Sequence, residues 1–237
     1  ELLQEKRRDR LWKNIRFIAW FVLFAYMFIH VLGHMKESVS VLSPGKKYVA
    51  LIRMSGMIMP EGDLSAEAVI PALEAAFRDR HAEGIILDIN SPGGTPVQAA
   101  SIHDAVLAFK KKYHKKVVVV GEDLLTSGAY YVAVSADKIY VNPSTLTGSI
   151  GVIMKGFGFV GAMKKLGIER RVYTVGNDKD RLDPFQPQSL DDVKKIKEVM
   201  SDVHHNFAQA VLKGRAGKLR IEPQRLFTVD FWSGDSA

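Results

Sequence analysis

The chain has 237 residues, of which 47% are apolar and 25% charged, and this length is sufficient for one sizeable α/β core. It contains no cysteine, so a disulfide framework, a thiolate zinc site and a cysteine nucleophile are excluded. The net charge of +7 falls to +4 when the first sixteen residues, with six basic and three acidic side chains, are left out. This charge is small for a nucleic-acid-binding protein, so we expect no nucleic-acid partner.

The N-terminal part of the sequence has the pattern of a membrane anchor. Residues 15–33 form an apolar run that, as a helix, reaches roughly 28 Å, about the thickness of the hydrocarbon layer. Basic residues precede the run, so the positive-inside rule places the N-terminus in the cytoplasm. We predict a cytoplasmic basic head at 1–14, a transmembrane helix at 15–33, a stalk at 34–47 and an extracytoplasmic domain at 48–237. A cleaved signal peptide fits less well, because no small-residue cleavage site follows Gly33.

From Tyr48 onward, apolar and β-branched runs alternate with helical patterns. The predicted strands lie at 48–52, 84–89, 117–120, 138–141 and 171–175, and the predicted helices at 64–80, 95–112, 128–136, 158–166 and 190–214. This alternation implies an α/β fold in which helices pack against a largely parallel sheet. The continuous apolar runs at 85–89 and 117–120 indicate central strands that are covered on both faces. Pro71 predicts a kink or a later start of the first helix. The last residues are turn-like, so we expect a C-terminally truncated chain.

Two segments that follow central strands contain the candidate chemistry, because parallel sheets place ligand sites at the carboxyl ends of their strands. Gly93 and Gly94 precede a helix, and paired glycines let backbone N–H groups turn toward a ligand, as an oxyanion hole requires. Ser127 precedes another helix and has the N–H of Gly128 beside it as a second oxyanion donor. Taken singly, an ordinary strand-to-helix turn and a helix N-cap also explain these residues.

A serine hydroxyl needs a base to become a nucleophile, and the residues alone leave that base open. None of the seven histidines follows a strand beside an obvious acidic partner. The adjacent His204 and His205 point about 100° apart on a helix, which excludes the i, i+4 pairing of metal ligands. We interpret all seven histidines as surface or core residues.

Six motifs, in order along the chain, provide a resemblance to a known family. They are Asn-Ser-Pro-Gly-Gly at 90–94, Thr-Ser-Gly-Ala-Tyr-Tyr at 126–131, Ala-Asp-Lys-Ile at 136–139, Thr-Gly-Ser-Ile-Gly-Val at 147–152, the segment from Gly176 through Lys179 to Asp-Pro-Phe at 183–185, and Trp-Ser-Gly at 232–234. From Tyr48 to the C-terminus, the chain resembles the signal peptide peptidase A family of membrane serine proteases. The resemblance implies a crotonase-like or Clp-protease-like fold, with repeated ββα or βαβ units, and a Ser/Lys dyad without histidine.

The resemblance also implies a role for individual residues. It assigns the nucleophile to Ser127, the general base to Lys179 and the oxyanion donors to the amides of Gly94 and, as second choice, Gly128. Ser149 matches a family serine that hydrogen-bonds the lysine. No metal, nucleotide or other cofactor is implied. In the family the lysine comes from a neighbouring subunit of a dome-shaped ring, so we expect a homo-oligomer, with an octamer as one size of such a ring.

The implied function is a single-pass serine endopeptidase of the bacterial inner membrane, with its catalytic domain outside the cytoplasm. Its substrates are released signal peptides and other peptides at the membrane, and membrane lipid surrounds its anchor. One alternative is a related membrane protease of the stomatin-associated type, which trims a specific partner protein. A catalytically silent crotonase-like scaffold that binds apolar peptides is another.

The residues beside Lys179 motivate the scaffold alternative. A lysine base has to be neutral, whereas an ordinary lysine is charged at neutral pH and the carboxylates of Asp178 and Asp180 favour that charge. Three arrangements can offset the effect of these carboxylates on Lys179. Successive side chains can diverge along an extended segment, the charge of Arg181 can compensate, or activity can depend on assembly.

Overall fold

The computed structural model describes residues 12, 16–28, 45–176, 179–220, 222, 226–227 and 230–237. The chain divides into two compact units, residues 1–46 and residues 47–237. In the first unit, residues 16–28 are helical and nearly all of their side chains are exposed. No helix within the described residues is both long and apolar enough to cross a membrane. The predicted span at 15–33 extends beyond the described residues at both ends, and most of the predicted head and stalk lies outside them.

The second unit is built on a six-stranded sheet that is parallel except at one edge. Its strands are β1 (Tyr48–Ser55), β2 (Ala82–Ser91), β3 (Lys116–Thr126), β4 (Lys138–Val141), β5 (Leu146–Gly148) and β6 (Phe231–Ser233). The order across the sheet is β1-β2-β3-β5-β6, and β4 also pairs with β3. Only β5 and β6 are antiparallel among the described pairs. This mixed α/β architecture fits the predicted Clp-protease-like or crotonase-like fold, and it confirms β2 and β3 as central strands.

The described helices of this unit follow the strands in the predicted alternation. They are α1 (Ala66–Arg78), α2 (Pro96–Tyr113), α3 (Gly128–Ala133), α4 (Val160–Leu166) and α5 (Leu190–Gly214). α1 begins at Ala66 because the Ser65 hydroxyl accepts the N–H of Ala68 at 3.1 Å and caps the helix. This start is two residues later than predicted, and the helix runs through Pro71.

The main core lies between the sheet and helices α1, α2 and α3. Alternate residues of β2 and β3 are fully buried, as period-2 alternation requires for a face that is covered by helices. The core side chains include Leu73, Phe77, Ile85, Leu87, Ile89, Ile102, Val106, Val117 and Val119. Burial of each such side chain contributes about 1.5–3 kcal/mol. A second, smaller core packs Val134 and Ile150 against Phe207 and Val211 of α5. It ties α5 to the end of β5.

The strand predicted at 171–175 is wrong. These residues are irregular, and the side chains of Tyr173 and Val175 are 91% and 99% exposed. Their β-branched and aromatic composition favours a strand only where a neighbouring strand pairs with it, and no described strand does so. β5 and β6, which were not predicted, have three residues each, too few to show an alternating pattern.

Coverage of the sheet also differs from the prediction that both faces of the central strands are buried. The helices that follow β1, β2 and β3 all pack on one face. Val49, Leu51, Val120 and Tyr140 alternate with the core residues of their strands, and their side chains are exposed. Within the described residues, the opposite face of the sheet is therefore open.

Candidate active site

Ser127 lies at the junction between β3 and α3. Its backbone has φ 52° and ψ −124°, a conformation that non-glycine residues rarely adopt. Its N–H donates to the carbonyl of Gly148 at 2.9 Å, and its own carbonyl accepts the N–H of Tyr131 at 3.0 Å. These two bonds hold a sharp turn from strand to helix, at which Ser127 is half-buried.

The glycine loop after β2 lies directly against Ser127. Gly93 has φ +96°, and a Cβ placed on it would lie 2.8 Å from the Cβ of Ser127 and 2.5 Å from the nitrogen of Gly128. A Cβ on Gly94 would lie 1.9 Å from the carbonyl oxygen of Ile58. Neither position therefore accommodates a side chain, and this close approach brings the backbone of the loop to Ser127.

The amides of Gly94 and Gly128 provide unused donors beside Ser127. Ile58 donates its N–H to the Gly93 carbonyl at 2.9 Å and accepts the N–H of Thr95 at 2.8 Å, so the N–H of Gly94 points away from Ile58. The Gly94 nitrogen lies 3.1 Å from the place that a Cβ on Gly128 would take. Within the described residues, neither glycine N–H donates to a protein acceptor. Two such donors beside a hydroxyl can stabilise an oxyanion.

Ser149 occupies the position after β5 that corresponds to Ser127 after β3. Thr126 and Gly148 are paired in the parallel register, so the serines follow paired residues of adjacent strands. Ser149 also has φ 52°, and its N–H donates to the carbonyl of Asp230 at 2.8 Å. The structure thus brings Ser127, Ser149 and both glycine amides to one edge of the sheet, whereas their chemical roles stay predictions.

Lys179 lies in an exposed turn after α4. No hydrogen bond between described residues joins it to Ser127. Arg181, two residues on, places its guanidinium 2.7 Å from Asp191 and 3.3 Å from Asp192 in the first turn of α5. The pairing of Ser127 with Lys179 therefore stays a prediction.

Three residues that the sequence did not single out support the site. Asn90 accepts the N–H of Leu124 at 3.1 Å and ties the glycine loop to β3, while Ser91 accepts the N–H of Gly93 at 3.1 Å. The indole of Trp232 lies on Gly148, where a Cβ would come within 2.5 Å of the ring. All three belong to the Asn-Ser-Pro-Gly-Gly and Trp-Ser-Gly motifs, so the signal for them was the motif itself.

A serine on a strained strand-to-helix turn, with two unused backbone amides beside it, is an arrangement that serine hydrolases use. The sequence model of peptidase family S49 matches residues 109–236, more than half of the chain. The match includes Ser127, Ser149 and Lys179 and leaves out Gly94. The chain therefore belongs to peptidase family S49, the family of the signal peptide peptidase A proteases.

Two of three reported relatives have names that agree with this family. A predicted signal peptide peptidase SppA of Enterococcus faecium is 30% identical over 188 residues, which are 76% of this chain and 54% of that protein. The chloroplastic serine protease SPPA of Arabidopsis thaliana is 26% identical over 63% of this chain and 24% of its own length. The Na(+)/H(+) antiporter NhaA of Brucella melitensis is 41% identical over 80% of this chain, but only 26% of the antiporter is matched. The chain spans about half of these relatives or less, and it contains a serine peptidase domain.

Proposed function

We propose that this chain is the catalytic part of a membrane-anchored serine endopeptidase that uses a Ser/Lys dyad. Ser127 is the nucleophile, Lys179 of a neighbouring subunit is the general base, and the amides of Gly94 and Gly128 stabilise the oxyanion. Ser149 orients the lysine. The single observation that supports this function best is the strained turn at Ser127, which lies beside two N–H donors that no group among the described residues accepts.

The reaction follows from these groups. The Ser127 oxygen attacks the carbonyl carbon of a peptide bond while the neutral amine of Lys179 takes its proton. The negative charge that develops on the carbonyl oxygen accepts hydrogen bonds from the Gly94 and Gly128 amides. The C–N bond then breaks, and the lysine ammonium returns the proton to the leaving amine. A water molecule, activated by the same lysine, hydrolyses the ester at Ser127 and restores the enzyme.

Assembly into a ring is the part of this proposal that brings the lysine to the serine. The segment between β5 and α5 exposes large apolar side chains, among them Phe157 at 82%, Tyr173 and Val175. Apolar surface of this kind is covered in most stable proteins, and a second copy of the chain is the partner that we propose for it. Burial between subunits also supplies the low-polarity surroundings that favour a neutral lysine.

Membrane anchoring and an apolar peptide substrate complete the proposal. The apolar run at 15–33 is the proposed anchor, with the N-terminus in the cytoplasm and the peptidase on the other side of the bacterial inner membrane. Beside the glycine loop, Met57 and Met59 are exposed on either side of the buried Ile58, so they offer adaptable apolar surface next to the oxyanion donors. Released signal peptides, which are rich in apolar residues, fit such a surface.

The test is hydrolysis of an apolar fluorogenic peptide by the full-length protein in detergent micelles. Ser127→Ala is expected to lower kcat at least about 10³-fold and to abolish labelling by a serine-reactive phosphonate, because it removes the proposed nucleophile. Ser201→Ala, which removes an exposed hydroxyl from α5, is the matched control and should leave both readouts unchanged. Turnover retained by the Ser127→Ala protein would refute the assignment of the nucleophile.

A further inference from the structure

The turn after β5 determines where the backbone of Ser127 lies. The Gly148 carbonyl, which accepts the Ser127 N–H at 2.9 Å, is the last peptide group before Ser149. Ser149 is held at φ 52° and its carbonyl accepts the N–H of Gly151 at 3.0 Å. A strained conformation persists only where its surroundings fix it, so displacement of this turn is expected to move Ser127 as well.

A histidine of α5 reaches this turn from the other side of the small core. The Nε2 atom of His204 lies 3.1 Å from the carbonyl oxygen of Ile150, 54 residues away in sequence. Because a carbonyl oxygen can only accept, Nε2 must bear the hydrogen and donate it. The ring of His204 is half-buried and meets Phe227 edge-on, with 6.2 Å between the ring centroids. Its position and tautomer are therefore both defined.

The face of α5 that bears His204 also packs against the turn after β5. The side chain of Ile150 is fully buried against Phe207 and Val211, which lie three and seven residues after His204 and hence on the same face of α5. His204 thus adds a directional bond to a contact that is otherwise apolar. Apolar packing tolerates small slides, whereas a hydrogen bond fixes the distance and angle of the peptide group that it holds.

We propose that His204 is a positioning residue for the reaction at Ser127. It holds the Ile150 carbonyl, which fixes the turn at Ser149, and through the Gly148 carbonyl it fixes the backbone of the nucleophile. We assign His204 no role as a base, because its Nε2 hydrogen is donated to the Ile150 carbonyl. The inference rests on the proposed nucleophile, but it does not depend on the source of the lysine.

Four variants of the full-length protein test this role. His204→Phe keeps a ring for packing and removes the donor. His204→Gln places its amide nitrogen where Nε2 lies, and His204→Asn offers the same amide one bond short of that place. His205→Phe is the matched control, because this neighbouring histidine is exposed and points about 100° away from His204 around the helix. The measurements are kcat and KM for the apolar fluorogenic peptide, the rate of phosphonate labelling at Ser127, and the melting temperature.

We expect His204→Phe and His204→Asn to lower kcat and the labelling rate about tenfold, with KM changed less than about twofold, because a small misplacement of the nucleophile slows chemistry more than binding. His204→Gln should recover to within about threefold of the wild type, and His205→Phe should match it. Wild-type kcat in His204→Phe, or equal losses in the Gln and Phe variants, would overturn the proposal. If His204→Phe does not fold, the comparison of Gln with Asn decides in the same way.

These outcomes are distinct from failure of the proposed function. Activity that survives Ser127→Ala refutes the nucleophile whatever the His204 variants do. Loss of activity in Ser127→Ala together with an unaffected His204→Phe leaves the nucleophile in place and refutes only the positioning role. A fall in kcat that follows the melting temperature alone, without a slower labelling rate at 25 °C, also overturns the positioning role.

Discussion

Ser127 and Ser149 share a positive φ angle at the ends of two paired strands. Each has φ 52°, and each is fixed by a backbone hydrogen bond to a residue far away in sequence. Such conformations cost of order 1–3 kcal/mol and persist where neighbouring contacts determine them. Here the contacts come from Gly148 for Ser127 and from Asp230 for Ser149. Each serine hydroxyl therefore lies at the carboxyl end of its strand, on a backbone that these hydrogen bonds hold in place.

Gly93 gives the sharpest prediction for a single residue. Gly93→Ala introduces a Cβ that collides with the nitrogen of Gly128 and the Cβ of Ser127, at a residue that already has φ +96°. We expect a loss of about 3 kcal/mol or more in the free energy of unfolding and at least about 100-fold in kcat, because Ser127 and the adjacent Gly94 amide must move apart. Thermal unfolding and peptide hydrolysis measure the two effects.

Gly62→Ala is the matched control for the backbone strain. Gly62 has φ +111°, but a Cβ there meets no atom within 4 Å. We expect Gly62→Ala to lower the free energy of unfolding by about 1 kcal/mol, because of the strained φ alone, and to leave kcat unchanged. Equal effects of the two substitutions on kcat would mean that the contact between the glycine loop and Ser127 is not what holds the site.

At the scale of elements, β3 carries the site, and Asp137 fixes its first half to β4. The Asp137 carboxylate accepts the N–H of Val117 at 2.8 Å and lies 3.2 Å from the ammonium of Lys110. Partial burial raises the pKa of Asp137, but the bond from Val117 and the charge of Lys110 outweigh it and hold the pKa below its usual value. The folded state therefore binds protons at Asp137 less readily than the unfolded chain.

This direction of the pKa shift predicts how stability depends on pH. Because the folded-state pKa is lowered, the contribution of Asp137 is fully present above its unfolded-state pKa and is lost as the pH falls through the folded-state pKa. Asp137→Asn is expected to lower the melting temperature by about 3 °C at pH 7, which corresponds to about 1 kcal/mol. The difference from the wild type should shrink as the pH falls below about 4.

Asp63→Asn removes the same charge from an exposed residue and serves as the control. Its melting temperature should stay within about 1 °C of the wild type at every pH. A difference between Asp137→Asn and the wild type that persists undiminished at pH 3 would contradict the lowered pKa.

The elements that the sequence predicted well are those whose pattern is local. β1 to β4 and all five described helices of the second unit have apolar runs or periodic faces, and each lies close to its prediction, although β3 runs six residues past its predicted end at residue 120. β5 and β6 depend on partners that are distant in sequence, since Thr147 bonds to Leu125 of β3 and pairs with Trp232 of β6. A local pattern in the sequence does not reveal such partners. The strand predicted at 171–175 has the right composition but no described partner, so local propensity alone was misleading there.

Some residues of the predicted site could likewise be found from their local position in the sequence, and others could not. The glycine loop and Ser127 could be found from their place after central strands, because a parallel sheet brings the ends of its strands together. The assignment of Lys179 and Ser149 needed the resemblance to a family. The support from His204 to Ile150 spans 54 residues and joins a helix to a turn, so no spacing rule indicates it.

For the whole molecule, the exposed apolar surfaces of one chain are where we expect the proposed ring to assemble. Phe157, Tyr173 and Val175 lie in the segment that also leads to Lys179, so a partner that covers this segment also surrounds the lysine. Assembly and catalysis are therefore expected to be coupled. Dilution that separates the subunits should abolish peptide hydrolysis without unfolding the chain, and light scattering during the dilution series can follow both states.

Complementation between two inactive chains tests whether the dyad is shared. Ser127→Ala retains Lys179 and Lys179→Ala retains Ser127, and each protein alone is expected to be inactive. When equal amounts are co-assembled into rings, half of the chains supply a serine and half of their neighbours supply a lysine, so about a quarter of the wild-type activity should return. A mixture that assembles but stays inactive would place both residues of the dyad within one chain. Activity of Lys179→Ala on its own would show that another group is the base.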